Sequence, residues 1–215
     1  MSTPTEPKIY HITHVDNLVH LASSGCLWSD AKRIELDLDC RVVGMSEIKR
    51  RRLEEIEVTC HPGTKVGQYA PFYFCPRSIM LFILHRGNHP SIEYSEGQWP
   101  IVHLQADLRA TTQWADENNI QWAFSDRNAG GRLAAFFNRW GDLDKINWAA
   151  VAATDFRDPQ IKEGKQAEYL VYGAFPWTLV ERIGVLDDTA RRRVANALSG
   201  AAHQPRIDVE PGWYY

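Results

Sequence analysis

Four groups of side chains in this sequence are spaced as a binding or reactive site would space them. His11 and Thr13 stand two apart in the alternating run Ile9-Tyr10-His11-Ile12-Thr13. Strand side chains alternate between faces, so a ring nitrogen and a hydroxyl project to one side and can meet one ligand. The other outcome for such a histidine is an ordinary hydrogen-bonded place in the strand. Lys49-Arg50-Arg51-Arg52 forms a basic knot beside Glu54, Glu55 and Glu57. It is either a solvated helix face or a grip on an anion, which guanidinium binds as a fork. Glu168 opens the run Tyr169-Leu170-Val171-Tyr172. A carboxylate there is a solvated strand end or an acid held against an apolar core. The last group runs from Asn128 through Arg132, Asn138, Arg139, Trp140 and Trp148 to Lys165. Amides, cations and aromatic faces in one segment can stack an unpaired base and hold its phosphates, although a helical subdomain with a wet face has the same composition.

Other chemistries lack their signatures. The sequence has no GxGxxG, GxxxxGK[ST], GxSxG or HExxH, which removes the usual dinucleotide, P-loop, hydrolase and zinc-protease sites. Cys60-His61 has no second clustered pair, so no metal is expected. The four cysteines, Cys26, Cys40, Cys60 and Cys75, are widely spaced without CxxC and read as reduced thiols.

The elements that must position these groups follow from periodicity. Ile9–Thr13 predicts an edge or core strand. Val15, Leu18, Val19 and Ala22 repeat at helical spacing and end at Gly25. Ser29 to about Gly44 reads as an irregular loop and Ile48–Glu55 as a helix. Val66–Phe74, with Pro71 inside it, predicts a strand with an irregular entry, and Ser78–His85 a buried helix. Short strands are expected at Ile101–Leu104 and Trp122–Phe124. Leu133, Phe136, Phe137 and Trp140 share helical spacing. Glu168–Tyr172, Leu179–Leu186 and Pro205–Val209 read as strands, with a helix at Thr189–Leu198. Strands and helices mix without strict alternation, which favours α+β over a doubly wound parallel sheet.

The 215 residues, 44% hydrophobic and 11% aromatic, suffice for one domain spanning 1–215 with a sizeable core. No apolar run approaches membrane-spanning length, and Met1–Lys8 has no apolar signal core, so a soluble cytoplasmic protein without a membrane partner is expected. A net charge of −3 is not that of a protein that binds nucleic acid by neutralising many phosphates.

Six blocks, in order and spanning nearly the whole chain, resemble the DarT family of toxins that ADP-ribosylate single-stranded DNA. They are Tyr10-His11-Ile12-Thr13-His14-Val15-Asp16-Asn17-Leu18, Ile48-Lys49-Arg50-Arg51-Arg52, the eleven residues Pro71 to Leu81, Phe124-Ser125-Asp126-Arg127, Lys165-Gln166-Ala167-Glu168-Tyr169-Leu170-Val171-Tyr172, and Gly212-Trp213-Tyr214-Tyr215. The resemblance implies a single-domain ADP-ribosyltransferase fold with a split mixed β-sheet. The activity implied is transfer of ADP-ribose from NAD, a substrate, to a thymine base. It further implies Glu168 and Arg52 as catalytic residues, with Arg51 the alternative one residue away. His11, Ile12, Thr13, His20, Trp28 and Arg52 are then NAD-contacting, under a flap at about 33–54. Because arginine stays charged in proteins, Arg52 would stabilise the thymine anion or clamp the NAD pyrophosphate rather than take a proton. Arg77, Met80, Asn128 and Lys165 would contact DNA, within or beside a substrate-recognition loop at about 128–168. The family's frequent histidine after Asp-Arg is Asn128 here. A macrodomain antitoxin is the implied partner. Transfer to another base, RNA or protein, or a catalytically silent nucleic-acid-binding module, are the alternatives.

Overall fold

Local signals set most element boundaries in the computed structural model, which describes residues 2–44 and 46–215. The first strand, β1 (Lys8–His14), runs through a short 3-10 turn into α1 (Leu18–Ser24). Gly25 ends that helix in the left-handed region at φ 72°, a conformation glycine adopts without strain. A short strand β2 (Cys26–Trp28) follows, then α2 (Asp30–Glu35), capped by the Ser29 hydroxyl on Lys32 N–H. This helix replaces the start of the expected irregular loop. Next come α3 (Ser46–Glu54), β3 (Tyr69–Tyr73) and α4 (Ile79–Arg86), the last capped by Ser78.

The middle of the chain holds β4 (Ile101–Asp107) and α5 (Leu108–Glu117), whose N-terminus is capped by Asp107. Then come β5 (Trp122–Ser125) and β6 (Phe136–Phe137). The helical spacing from Leu133 to Trp140 does not make a helix: Phe136 and Phe137 pair with Ser125 and Phe124 as strand, and Leu133 is 79% exposed. Short helices α6 (Trp148–Ala152) and α7 (Pro159–Gly164) lead to β7 (Glu168–Tyr172) and β8 (Ala174–Pro176). The chain then forms β9 (Arg182–Val185), α8 (Asp188–Ala197) and β10 (Arg206–Val209). No helix among the described residues is long and apolar enough to cross a membrane.

Eight of these strands order as β10-β9-β4-β1-β3-β7-β5-β6, with β2 and β8 pairing separately. The sheet is mixed: β9 and β10 run parallel and the other pairs antiparallel. Its halves meet weakly. β1 is zipped to β4 from Lys8↔Asp107 to His14↔Ile101, whereas β1 and β3 share the single register pair Tyr10↔Tyr73. Pro71 sits in β3 beside this junction and has no N–H for a ladder. Beyond Tyr10 the strands part, and the His11 side chain spans the gap to the Pro71 carbonyl at 2.8 Å. This is the split sheet of the expected α+β fold.

Alternation along β7 feeds a different core on each face. Tyr169 and Val171 join a cluster with Phe72, Phe124 and Phe175, while Leu170 joins Tyr69, Val66 and Phe136 on the other. Glu168 shares the side of Leu170, where α3 packs over the turn before β3.

Candidate active site

Glu168 and Tyr73 are directly opposed across β7 and β3, so their side chains emerge side by side from one face. Helix α3 crosses that face and delivers Arg52. Its Nη1 and Nη2 donate to Glu168 Oε1 and Oε2 at 3.0 and 2.9 Å, a bidentate fork. Glu168 is 2% exposed and the Arg52 side chain 13%. Burial alone would lower the Arg52 pKa; the charge and hydrogen bonds of Glu168, with Tyr73 and Asp30 behind them, reverse that and raise it. The Tyr73 phenol is pushed upward by burial and by the neighbouring Glu168 charge.

The carboxylate is fixed from two more sides. Ala129 N–H donates to Oε1 at 2.9 Å, and Glu168 N–H donates to Ser125 Oγ at 3.2 Å. Ser125 in turn donates to the Arg127 carbonyl at 2.6 Å, holding the loop that presents Ala129. Oε1 therefore accepts two hydrogen bonds and Oε2 one, which leaves one lone pair on Oε2 for a hydroxyl.

The pair lies in the wall of a cavity of about 890 Å³ that opens where β1 and β3 part. Pockets of this size take small organic ligands and cofactors. The side of β1 contributes His11, Ile12 and Thr13. A carbonyl can only accept, so His11 Nδ1 carries the proton given to Pro71 O and Nε2 is the acceptor nitrogen. Burial lowers the pKa of His11 and keeps the ring neutral. Thr13 Oγ1 accepts from Asn17 Nδ2 at 3.0 Å. Asn17 also pairs with both peptide groups of Arg41, donating to its carbonyl at 3.0 Å and accepting from its N–H at 2.8 Å. That contact ties β1 to the segment 37–44, which lines the cavity opposite. His20 stands exposed on the lining, and Trp28 and Arg33 line it from β2 and α2. From α4 come Ile79, Met80 and Ile83, and from the 128–168 segment Asn128, Lys162, Gln166 and Glu168.

A family model described as "ssDNA thymidine ADP-ribosyltransferase, DarT" matches residues 10–215. A DNA ADP-ribosyl transferase of Thermus sp. (strain 2.9) is 35% identical over 99% of this chain and 98% of its own length. The chain belongs to the DarT family. Solved structures agree: Thermus sp. 2.9 DarT in complex with ADP-ribosylated ssDNA superposes with a TM-score of 0.90 at 34% identity, covering 100% of this chain and 99% of that one. The same protein in complex with NAD+ gives 0.83 at 33% identity over 100% of both chains. The fold of the family and its enzyme class, DNA ADP-ribosyltransferase, are therefore those of this chain.

Within the DarT frame the geometry separates the expected site residues. Glu168 and Arg52 meet, and Arg51 does not join them: its Nη2 donates to the Gly130 carbonyl at 3.3 Å and its Nε lies 3.7 Å from Glu55. Arg50 pairs with Glu54 at 3.0 Å in solvent. His11, Ile12, Thr13, His20 and Trp28 all line the one cavity, as do Met80 and Asn128. Two expected DNA contacts lie elsewhere. Lys165 is 3% exposed, its Nζ donating to the Val151 carbonyl at 2.9 Å and resting 3.5 Å from Cys75 Sγ. The Arg77 guanidinium lies over the Tyr215 ring, 4.4 Å from its centre. These cations brace packing between segments, Lys165 joining α7 to α6 and Arg77 joining the start of α4 to the C-terminus. The sequence also gave no sign of Asn17, Ala129 or Ser125 as site components. An asparagine just inside a helix start reads as a cap, and a backbone N–H has no sequence signature. Among the described residues no group of three or more His, Cys, Asp or Glu is placed to hold a metal.

Proposed function

We propose that this chain transfers ADP-ribose from NAD to a thymine base in single-stranded DNA, and that it acts as a toxin opposed by a macrodomain antitoxin. The observation that carries the reading is the buried Arg52–Glu168 fork in the wall of a cavity that also gathers His11, Thr13 and Trp28. Relatives support it through what they hold: one Thermus structure contains NAD+ and another ADP-ribosylated ssDNA.

The chemistry suits the groups present. As the bond between nicotinamide and ribose breaks, nicotinamide leaves as a neutral molecule with the bonding electrons, and the ribose gains oxocarbenium character. Glu168 Oε2 has a free lone pair to accept from a ribose hydroxyl, and the carboxylate faces that developing positive charge. A thymine ring nitrogen gives up its proton to solvent, and the resulting anion forms the new bond to the anomeric carbon. Arg52, held in the fork, stabilises the anionic base as that proton leaves. Burial of the carboxylate in a fixed network avoids reorganising it during the step.

Incubating the protein with NAD and a mixed-sequence single-stranded oligonucleotide, then mapping the product by mass spectrometry, tests this reading. One ADP-ribose on thymidine, with nicotinamide released in equal amount, is the expected result. Modification confined to another base, to RNA or to the protein itself would overturn the assigned acceptor, and no consumption of NAD would overturn the activity.

A further inference from the structure

Trp99 is 65% exposed, although the residues on either side of it, Gln98 and Pro100, are buried. Gln98 donates through Nε2 to the Tyr215 carbonyl and accepts from Tyr215 N–H at 3.0 Å. The Pro100 carbonyl accepts from Val15 N–H at 2.8 Å, and Ile101 N–H closes a turn on the Gln98 carbonyl at 3.1 Å. The backbone is thus anchored on both sides of an indole that it holds out of the core. A large aromatic fixed in water is what partner-binding surfaces use as an anchor.

The indole walls a second cavity, of about 260 Å³, between this turn and α8. None of its lining residues lines the cavity that holds Arg52 and Glu168. Sites for cofactors and small molecules usually run to roughly 300–1,000 Å³, so this one is of side-chain size. Val15, Val102 and Ala190 give it apolar walls, with Glu96, Asp187 and Arg193 around them. Arg193 is committed to Asp16 at 3.0 Å, and Arg41 lies on Glu96 and 3.8 Å from Asp16. His14, 3.8 Å from Glu96, adds no charge, because burial lowers its pKa and keeps it neutral. Three carboxylates therefore meet two guanidinium groups. Asp187 is the one left over: it caps α8 by accepting from Ala190 N–H at 2.8 Å and has no cation partner among the described residues.

We infer that this second cavity is a docking point for a partner protein and receives an arginine side chain of it, stacked on Trp99 and paired with Asp187. A guanidinium is drawn to the face of an indole, and its planar fork matches a carboxylate. The aliphatic stem of the same side chain packs on Val15, Val102 and Ala190. The surplus carboxylate repels phosphate, so the surface does not extend a path for nucleic acid. The inference stands apart from the proposed reaction, because it uses none of the residues assigned to it.

Nitrogen–proton correlation spectra of the full chain test this through the Trp99 indole N–H, assigned by its loss in Trp99→Phe. The probes are arginine, lysine, norleucine and glutamate, each acetylated and amidated so that only the side chain differs. The arginine probe should shift the Trp99 signal saturably, with half-saturation at least about threefold below that of norleucine, the scale of one exposed cation–π contact. Glutamate should leave the signal in place. Asp187→Asn keeps a capping side chain on α8 and should remove most of the preference for arginine over norleucine. The wild-type ranking alone can overturn the inference: no saturable shift, an equal response to norleucine, or tighter binding of lysine would each do so. An arginine preference untouched by Asp187→Asn would overturn it as well. Sedimentation that shows a wild-type dimer abolished by Trp99→Ala would give the surface to a second copy of this chain instead.

Discussion

Arg52 and Glu168 answer a folding problem and a chemical one with the same contact. Each would be costly alone in a buried wall, and removing one member of a buried pair typically costs about 3–5 kcal/mol because the other is stranded. Paired and hydrogen-bonded, they persist, and the fork orients the carboxylate toward the cavity. The resemblance pointed to Arg52 with Arg51 as the alternative, but composition alone could not separate the consecutive arginines, because neighbouring helix residues point about 100° away from each other and the direction of the partner is a tertiary fact. The structure gives distinct expectations. Glu168→Gln keeps a side chain able to accept from Ala129 N–H and should fold and bind NAD while transfer falls by about 10²–10³, the usual loss for one transition-state electrostatic contact. Arg52→Ala should be similarly inactive, while Arg51→Ala, whose side chain faces Gly130 and Glu55, should retain most transfer. Rates on a labelled oligonucleotide, with NAD affinity measured separately, decide it. An active Glu168→Gln, or an inactive Arg51→Ala beside an active Arg52→Ala, would displace these assignments.

Elements were legible where their ends carry local chemistry. Ser78 before an apolar run marked α4, Gly25 marked the end of α1, and the β-rich run after Glu168 marked β7. The failure at Leu133–Trp140 has a physical reason: four apolar residues happened to fit a helical period, while the pairing of Phe137 with Phe124 comes from a strand ten or more residues away. The Asp126 carboxylate holds the intervening loop by accepting from Ala135 N–H at 3.0 Å. Helix α5 was missed although Asp107 caps it, because its apolar stripe is thin and broken by threonines that pack inward. How α3 is held could not be read at all. Gly67, in the turn before β3, lies so close that a Cβ there would sit 2.9 Å from Leu53 Cα and 2.7 Å from its Cδ2. Leu53 adjoins Arg52, so Gly67→Ala must push α3 away from the sheet. A displacement near 1 Å can cost about 10² in rate, so transfer should drop by more than about tenfold. Thermal unfolding should still show a cooperative transition at a modestly lower midpoint. Full transfer by Gly67→Ala would mean that α3 tolerates the shift.

At the scale of the whole molecule, net charge bears on which form of DNA the proposed reaction would use. Lys and Arg number 24 against 27 Asp and Glu, for a net charge of −3. Many surface cations are already paired within the chain, including Arg193 with Asp16 at 3.0 Å, Arg127 with Glu163 at 3.1 Å and Lys8 with Asp107 at 2.9 Å. Gripping duplex DNA draws on many phosphate contacts at once, and a cation already paired to a carboxylate must break that pair to supply one. The acceptor argument points the same way. A thymine ring nitrogen on the pairing edge is occupied in a duplex, and reaching it requires unpairing and unstacking the base. Met80, Asn128 and Lys162 line the cavity, and in the proposed reaction a single unpaired base enters beside them with one or two of its phosphates engaged. A thymine-containing single strand should therefore be modified, and the same strand annealed to its complement should be modified at least about tenfold more slowly, since unstacking alone costs a few kcal/mol. With only one or two phosphates engaged, the single-strand rate at subsaturating DNA should fall by no more than about sevenfold between 50 and 200 mM salt. Both are read by gel-resolved labelling with NAD held constant. Equal labelling of duplex and single strand would defeat the unpaired-base argument, and a salt dependence of several hundredfold would mean that the protein holds its substrate along a phosphate track rather than by one exposed base.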